Sequence, residues 1–96
     1  MLRKKAEIVF TKQALKDIER VPKHISMKLQ GWIEDVEYEG LGYVQKIAGY
    51  HDEPLKGQRQ GQRSIRLNRA YRAIYLLDDL NYIHLITILE VNKHEY

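Results

Sequence analysis

Six cationic side chains follow one another without an intervening acid between Glu53 and Asp78. They are Lys56, Arg59, Arg63, Arg66, Arg69 and Arg72. Solvated protein surfaces usually carry both signs of charge, so an uninterrupted run of cations predicts an anionic partner. A nucleic-acid backbone fits this pattern, because phosphates need several donors held at set distances. The alternative is that these cations belong to ordinary solvated strand faces.

The cations lie on two different backgrounds. Lys56, Arg59 and Arg63 lie in or beside a loop that contains two glycines, at residues 57–61. Arg66 and Arg72 alternate with apolar and aromatic residues in a pattern typical of β-strands. The sequence therefore predicts that part of the basic surface is fixed on a sheet and part on a neighbouring loop.

The composition bounds the kind of protein. The chain has 96 residues, a formal net charge of +3 and a sequence pI of about 9.2, which favours acidic partners weakly. This length predicts a single domain over residues 1–96. There is no cysteine, which excludes disulfides and thiolate metal sites within the chain.

Other patterns argue against several function classes. No set of His, Asp and Glu has metal-ligand spacing, so no metal is predicted. Gly57 and Gly61 do not lie between a strand and a helix, so no nucleotide cofactor is predicted. No apolar run reaches the roughly 20 residues of a membrane span, and no apolar signal-peptide core follows the basic start. A cytoplasmic protein without a membrane partner is expected.

The first half of the chain predicts a strand and two helices. Residues 6–10 form a short edge strand, and Thr11 caps a helix. The first helix should bury Ala14, Leu15, Ile18 and Val21, and the second Ile25, Leu29, Trp32, Ile33 and Val36. Pro22 separates the two helices, and Gly40 and Gly42 stop the second.

The second half predicts a loop and then three strands. Residues 43–61 show no period and contain several Gly and Pro residues, which predicts a loop. Strands are expected at 62–68, 70–77 and 82–89. The turn at Asn68-Arg69 relies on the tolerance of Asn for positive φ, and Asp78 to Asn81 form a second turn.

These elements predict an α+β domain: an N-terminal strand, a two-helix hairpin and a three-stranded antiparallel meander. The last strand is nearly all apolar and should be central. Both helices should pack on one face of the sheet, and Arg66 and Arg72 should lie on the other. Residues 90–96 form a tail.

Four sequence blocks occur in order along the second half. They are Pro54-Leu55-Lys56-Gly57, Gly61-Gln62-Arg63-Ser64-Ile65-Arg66-Leu67, Tyr71-Arg72-Ala73-Ile74-Tyr75 and Val91-Asn92-Lys93-His94-Glu95-Tyr96. With these blocks the chain resembles the RelE/HigB superfamily of bacterial type II toxins. The resemblance covers nearly the whole chain and implies the RelE-like microbial RNase fold.

The same resemblance implies an activity and partners. Members are small basic endoribonucleases, and most cut mRNA in the ribosomal A site. The implied partners are mRNA on the ribosome, with contacts to ribosomal RNA, and a cognate antitoxin protein. Operator DNA would be reached only through the antitoxin complex. A metal-independent mRNA interferase that inhibits translation is therefore expected.

The resemblance assigns catalytic roles to five residues. Arg72 matches the strand arginine that contacts the scissile phosphate, and Arg66 matches a basic residue one strand earlier. Lys93, His94 and Tyr96 fall where members keep an Arg, His or Tyr needed for cleavage. We expect His94 and Tyr96 to lie against the sheet near the two arginines. His94 is the preferred proton carrier, because its pKa needs less tuning than that of a tyrosine.

Five further residues are predicted to bind RNA. Lys56 matches a basic position near the RNA, and His51 lies where some HigB-like members carry a functional histidine. Arg59, Arg63 and Arg69 belong to the same basic run. RNA self-cleavage needs a base, an acid and cations that hold the charge growing on phosphorus. Arginine suits the last task, because its planar fork pairs with two phosphate oxygens.

Two other functions are compatible with the sequence. ParE proteins share the predicted architecture but poison DNA gyrase by binding it, which requires no acid and base. The chain could also be a catalytically inactive homologue that binds only its antitoxin. His94 and Tyr96 favour the nuclease.

Overall fold

A computed structural model describes residues 4–80 and 83–93 of the chain. Its helices are α1 (Lys12–Arg20), α2 (Lys23–Glu39) and α3 (Leu41–Gln45). Its strands are β1 (Ala6–Phe10), β2 (Glu53–Pro54), β3 (Gln62–Arg66), β4 (Tyr71–Leu80) and β5 (Ile83–Lys93). Two short 3₁₀ turns, Ala48–Tyr50 and Gly57–Arg59, flank β2. Within this part of the chain, no helix is long and apolar enough to cross a membrane.

The strands form one mixed sheet in the order β1-β5-β4-β3-β2. The antiparallel meander of β3, β4 and β5 is confirmed. The predicted fold is incomplete, however, because β1 joins the same sheet parallel to β5, and β2 extends the other edge. The strand β5 is interior, between β1 and the central strand β4, and its neighbours on both sides explain its apolar sequence.

The helices begin and end largely where their caps predict. The Thr11 side chain accepts a hydrogen bond from the Ala14 N–H at 3.0 Å, and its hydroxyl donates to the Leu89 carbonyl at 2.7 Å. The predicted apolar stripe of α2 is confirmed, because all five residues are buried. In α1 only Ala14 is fully buried, and Leu15 is 54% exposed because it lies on the outer side of the helix. Gly40, with φ of 90°, ends α2.

Several predicted boundaries are wrong. The segment 43–61 contains part of α3, both 3₁₀ turns and β2 rather than a loop alone. The strand β4 continues to Leu80, although the sequence predicts a turn that begins at Asp78. The strand β5 continues past its predicted end at Leu89 to Lys93. These strands are longer than their sequence pattern predicts because backbone pairing continues through polar residues.

The turn after β3 also has a different cause from the one predicted. Positive φ among non-glycine residues of the described chain occurs only at His51, so Asn68 does not use it. Instead, the Asn68 side-chain oxygen accepts hydrogen bonds from the backbone N–H groups of Ala70 and Tyr71, each at 2.8 Å. The side chain thus replaces a backbone acceptor within the turn.

The register of the sheet separates two faces. Ile65, Ala73 and Val91 lie opposite one another and belong to the hydrophobic core that the helices cover. The next row holds Arg66 and Arg72, which lie on the face away from the helices. A β-bulge between Ile74 and Tyr75 shifts the pairing with β5. The predicted placement of the two arginines is confirmed.

Candidate functional site

Arg66 and Arg72 form the centre of the candidate site. They are direct neighbours in the register of β3 and β4, and Arg66 is exposed while Arg72 is half-buried. Among residues 4–80 and 83–93, neither guanidinium forms a salt bridge. Like charges directly opposite each other on a sheet are destabilising. Two adjacent, uncompensated guanidinium groups are therefore suited to an anion from outside the chain.

A small hollow surrounds the two arginines. It is lined by His51, Glu53, Ser64, Ile65, Arg66, Asn68, Arg69, Tyr71 and Arg72. Its cavity volume is about 40 Å³, so it is a shallow recess that a ligand would approach from the surface. The structure therefore brings together four of the predicted residues, Arg66, Arg72, Arg69 and His51.

Glu53 is a site residue that the sequence prediction missed. Its carboxylate oxygen Oε2 lies 3.5 Å from Nε2 of His51, and both side chains are about half exposed, at 55% and 54%. The sequence feature that could have indicated Glu53 is its position immediately before the Pro54-Leu55-Lys56-Gly57 block. The hollow therefore contains a carboxylate and an imidazole, each able to accept a proton, beside the two guanidinium groups.

The local backbone explains how His51 reaches the hollow. It follows the 3₁₀ turn Ala48–Tyr50 and adopts a left-handed conformation, with φ of 45° and ψ of 50°. Its N–H donates to the Ala48 carbonyl at 3.0 Å. This conformation reverses the chain direction, so that β2 begins two residues later and Glu53 pairs with Ser64 of β3.

A polar side chain on β5 orients Arg72. The Nε–H of Arg72 donates to Oδ1 of Asn92 at 3.4 Å, and Asn92 lies directly opposite Arg72 in the register. The amide group of Asn92 in turn donates to Glu90 at 2.9 Å. Because the contact uses Nε, the two terminal nitrogens of Arg72 remain available for an anion.

Arg63, which the sequence predicts to bind RNA, is not among the residues that line this hollow. It faces the core side of β3, where its Nε donates to Asp52 at 2.7 Å, and the Asp52 side chain is completely buried. Burial by itself would lower the pKa of Arg63, but the hydrogen bond and charge of Asp52 raise it overall. Arg63 therefore has a carboxylate partner inside the fold.

Arg59 also has an internal partner. It forms a salt bridge with Glu90 and donates to the side chain of Gln62 at 2.9 Å. Acids that are distant in sequence therefore fold next to Arg59 and Arg63. Neither Arg66 nor Arg72 forms a salt bridge within the described residues.

The remaining predicted residues lie around the hollow or outside the described chain. Lys56 is exposed beside the turn Gly57–Arg59, and Lys93 is exposed at the end of β5, opposite Tyr71. Neither lines the hollow. His94 and Tyr96 lie outside the described residues. Since β5 reaches Lys93, the predicted departure of the chain from the sheet at Leu89 is wrong.

The carboxylate of Asp52 joins two strands below the site. Besides Arg63, it accepts a hydrogen bond from the hydroxyl of Tyr75 at 2.6 Å, and Gln45 donates to the same hydroxyl at 3.2 Å. Burial, followed by the hydrogen bond to Asp52, raises the pKa of Tyr75. Tyr75 therefore stays protonated at neutral pH. We call Asp52, Arg63 and Tyr75 the Asp52 cluster.

Comparison with known proteins identifies the fold. No family model matches the chain, and no curated protein matches its sequence. Among solved structures, YafQ from E. coli BL21(DE3) has a TM-score of 0.74 at 22% identity, covering 93% of each chain. The YoeB/ParE toxin from Agrobacterium tumefaciens has a TM-score of 0.69 at 19% identity, covering 93% of this chain and 99% of that one.

A third solved structure is a complex. It is the YoeB–YefM complex from Staphylococcus aureus, with a TM-score of 0.68 at 26% identity, covering 94% of this chain and 98% of the matched one. The chain therefore has the RelE-like fold that these toxins share. The resemblance noted in the sequence is confirmed at the level of the fold.

Proposed function

We propose that this chain is the toxin of a type II toxin-antitoxin module and that it cleaves mRNA on the ribosome. The observation that carries the proposal is the open pair of Arg66 and Arg72, with His51 and Glu53 in the same hollow. The shared fold of YafQ and YoeB/ParE supports the class of protein. In this proposal the protein acts in the cytoplasm, where its substrate is found.

The side chains of the site suit RNA self-cleavage. Glu53 or His51 takes the proton of the ribose 2′-hydroxyl, whose oxygen then attacks the phosphorus. The two guanidinium groups hold the charge that grows on the phosphate oxygens, so the proposed reaction uses no metal. The bond to the 5′-oxygen breaks as that oxygen receives a proton. We assign this last step to His94, and we propose Tyr96 and Lys93 as further catalytic residues.

The shape of the site supports dependence on the ribosome. A recess of about 40 Å³ does not enclose a nucleotide, which suits an RNA strand whose conformation is held by the ribosome. Lys56, Arg69 and Lys93 are exposed cations near this recess and are proposed to contact the RNA backbone, including ribosomal RNA.

We also propose a cognate antitoxin as protein partner. One of the matched structures is a complex of YoeB with YefM. An antitoxin that neutralises this chain would cover the open arginines or block access to them, since their charge has no partner among the described residues. Operator DNA would then be bound only through the antitoxin complex.

The test is mRNA cleavage in a translating extract that lacks the antitoxin. Parent protein is expected to cut mRNA only when ribosomes translate it. Arg72→Ala should cut at least about 100-fold more slowly, since one lost transition-state contact typically costs that much. Arg20→Ala removes an exposed arginine of α1 that does not line the hollow, and this variant should match the parent. Thermal melting checks that each variant is folded.

A parallel assay of gyrase supercoiling separates the alternatives. Loss of supercoiling without mRNA cleavage would replace the proposal with a ParE-like gyrase inhibitor. Neither effect, together with antitoxin binding, would identify an inactive homologue. Arg72→Ala protein that cleaves at the parent rate would remove Arg72 from the site.

A further inference from the structure

Asp52 lies between the two proton-accepting residues of the hollow but is not part of the hollow. Its neighbours in sequence, His51 and Glu53, both line the recess, whereas the Asp52 side chain is 0% exposed on the opposite side of the backbone. A buried carboxylate without partners would be strongly unfavourable. Here both oxygens are satisfied, one by Arg63 and the other by Tyr75.

The two partners of Asp52 lie on the strands that carry the open arginines. Arg63 and Tyr75 are opposite each other in β3 and β4, and Arg66 and Arg72 form another opposed pair three residues farther along the same strands. Three residues of a strand span about 10 Å. The Asp52 carboxylate therefore ties the turn at His51 to the same rigid pair of strands that holds Arg66 and Arg72.

The backbone at His51 needs such support. A left-handed conformation is unfavourable for a residue with a Cβ atom and persists only when the surrounding structure holds it. The described chain contains this conformation at no other non-glycine residue. Hydrogen bonds hold the chain on both sides of His51. The N–H of His51 donates to the Ala48 carbonyl, and the buried carboxylate of the next residue, Asp52, accepts from Arg63 and Tyr75.

We propose that Asp52 is a positioning residue, which holds His51 and Glu53 at the correct distance from Arg66 and Arg72. The inference rests on the proposed nuclease function, because it concerns the geometry of that site. Tyr75 and Arg63 act through Asp52 and do not touch the substrate. Tyr75 suits this task, since its hydroxyl donates to Asp52 at 2.6 Å.

Two variants test this role with little change in volume. Tyr75→Phe removes one hydroxyl and keeps the ring, which packs against Trp32 with centroids 5.2 Å apart. Asp52→Asn keeps the shape of the side chain and removes its charge. Ile25→Val, in the buried stripe of α2, is the control for a general loss of core stability. If Asp52→Asn does not fold, Tyr75→Phe decides the question.

The first measurement is mRNA cleavage on programmed ribosomes. For Tyr75→Phe and Asp52→Asn we expect kcat to fall at least about tenfold, because a displacement of the catalytic groups by 1 Å is enough to cost about 100-fold in rate. KM should stay within about twofold, since the phosphate-binding arginines remain. Ile25→Val should retain the parent kcat at a temperature where all variants are folded. Parent values of kcat in both cluster variants would overturn the inference and leave the proposed function intact.

The second measurement does not depend on activity. Nuclear Overhauser contacts between the His51 ring and the Glu53 side chain report their relative position. These contacts should be present in the parent and in Ile25→Val, and lost or weakened in the two cluster variants. If the parent does not cleave mRNA, the proposed function fails and this spectrum alone decides the positioning role. Unchanged contacts in both cluster variants would refute it.

Discussion

Arg63 and Arg66 lie three residues apart on the same strand but face opposite sides of the sheet. Arg63 points toward the core side and binds a fully buried carboxylate, whereas Arg66 is exposed beside Arg72 on the other face. The two residues have the same chemistry and lie on the same strand, β3. Their different surroundings follow from strand parity, because side chains alternate between the two faces.

Arg59 and Arg72 repeat this contrast across the open face. Arg59 forms a salt bridge with Glu90, while Arg72 donates a hydrogen bond to the neutral side chain of Asn92. Glu90 and Asn92 are two residues apart on β5. The contrast teaches that a run of cations in sequence contains two kinds of arginine. One kind forms a salt bridge with an internal acid, and the other forms no salt bridge within the described residues.

The largest expected effect is a difference in the free energy of unfolding between variants of a paired and of an open arginine. Arg63→Met leaves the buried Asp52 without its cation and should lower the free energy of unfolding by about 2 to 3 kcal/mol. Arg66→Met removes an exposed charge that lies beside a like charge, so the change should stay within about 0.5 kcal/mol. Urea denaturation of both variants measures the difference. Equal losses in the two variants would show that the contrast between paired and open arginines has no energetic basis.

A smaller effect concerns the binding of RNA. Each phosphate contact on a single strand contributes about −0.7 to the slope of log K against log salt concentration. Arg66→Ala should therefore reduce the magnitude of this negative slope by about 0.7 for an RNA whose 2′-hydroxyls are methylated to prevent cleavage. Fluorescence anisotropy over a range of KCl concentrations gives the slope.

The matched control removes a paired arginine together with its acid. The double variant Arg59→Gln/Glu90→Gln leaves the net charge unchanged and should keep the parent slope, since a cation already neutralised within the fold releases no counterion from RNA. If the double variant reduces the magnitude of the slope as much as Arg66→Ala does, Arg59 belongs among the phosphate contacts.

The smallest expected effect is a pH dependence of the stability that Tyr75 of the Asp52 cluster contributes. The pKa of Tyr75 is raised by burial and by Asp52, so the phenol ionises in the unfolded chain at a lower pH than in the folded protein. Its contribution to stability is therefore complete below about pH 10 and is lost as the pH rises toward the folded pKa. At pH 10.5 the loss should be about 0.8 kcal/mol. Denaturation at pH 8 and pH 10.5 should show a smaller decline in Tyr75→Phe than in the parent, and an identical decline would contradict the assignment.

Much of the fold follows from the sequence alone, for local reasons. The strand β1 and the cap at Thr11 each depend on residues a few positions apart. The buried stripe of α2 depends on residues within about three turns of one helix. The placement of Arg66 and Arg72 on one face also follows from strand parity and from a short turn between β3 and β4. The general character of the site, two arginines on a sheet, could therefore be predicted.

The tertiary structure decided which cations are open and which residues join them. Asp52 and Arg63 are 11 residues apart in sequence, and Arg59 and Glu90 are 31 residues apart, so no local pattern links them. The entry of Glu53 into the hollow depends on the left-handed turn at His51 and on the pairing of β2 with β3. Charge compensation depends on distance in space, which the sequence order of acids and cations does not encode. The sequence therefore determined that this protein carries an arginine-rich sheet, and only the packing of distant segments determined which arginines remain available to a ligand.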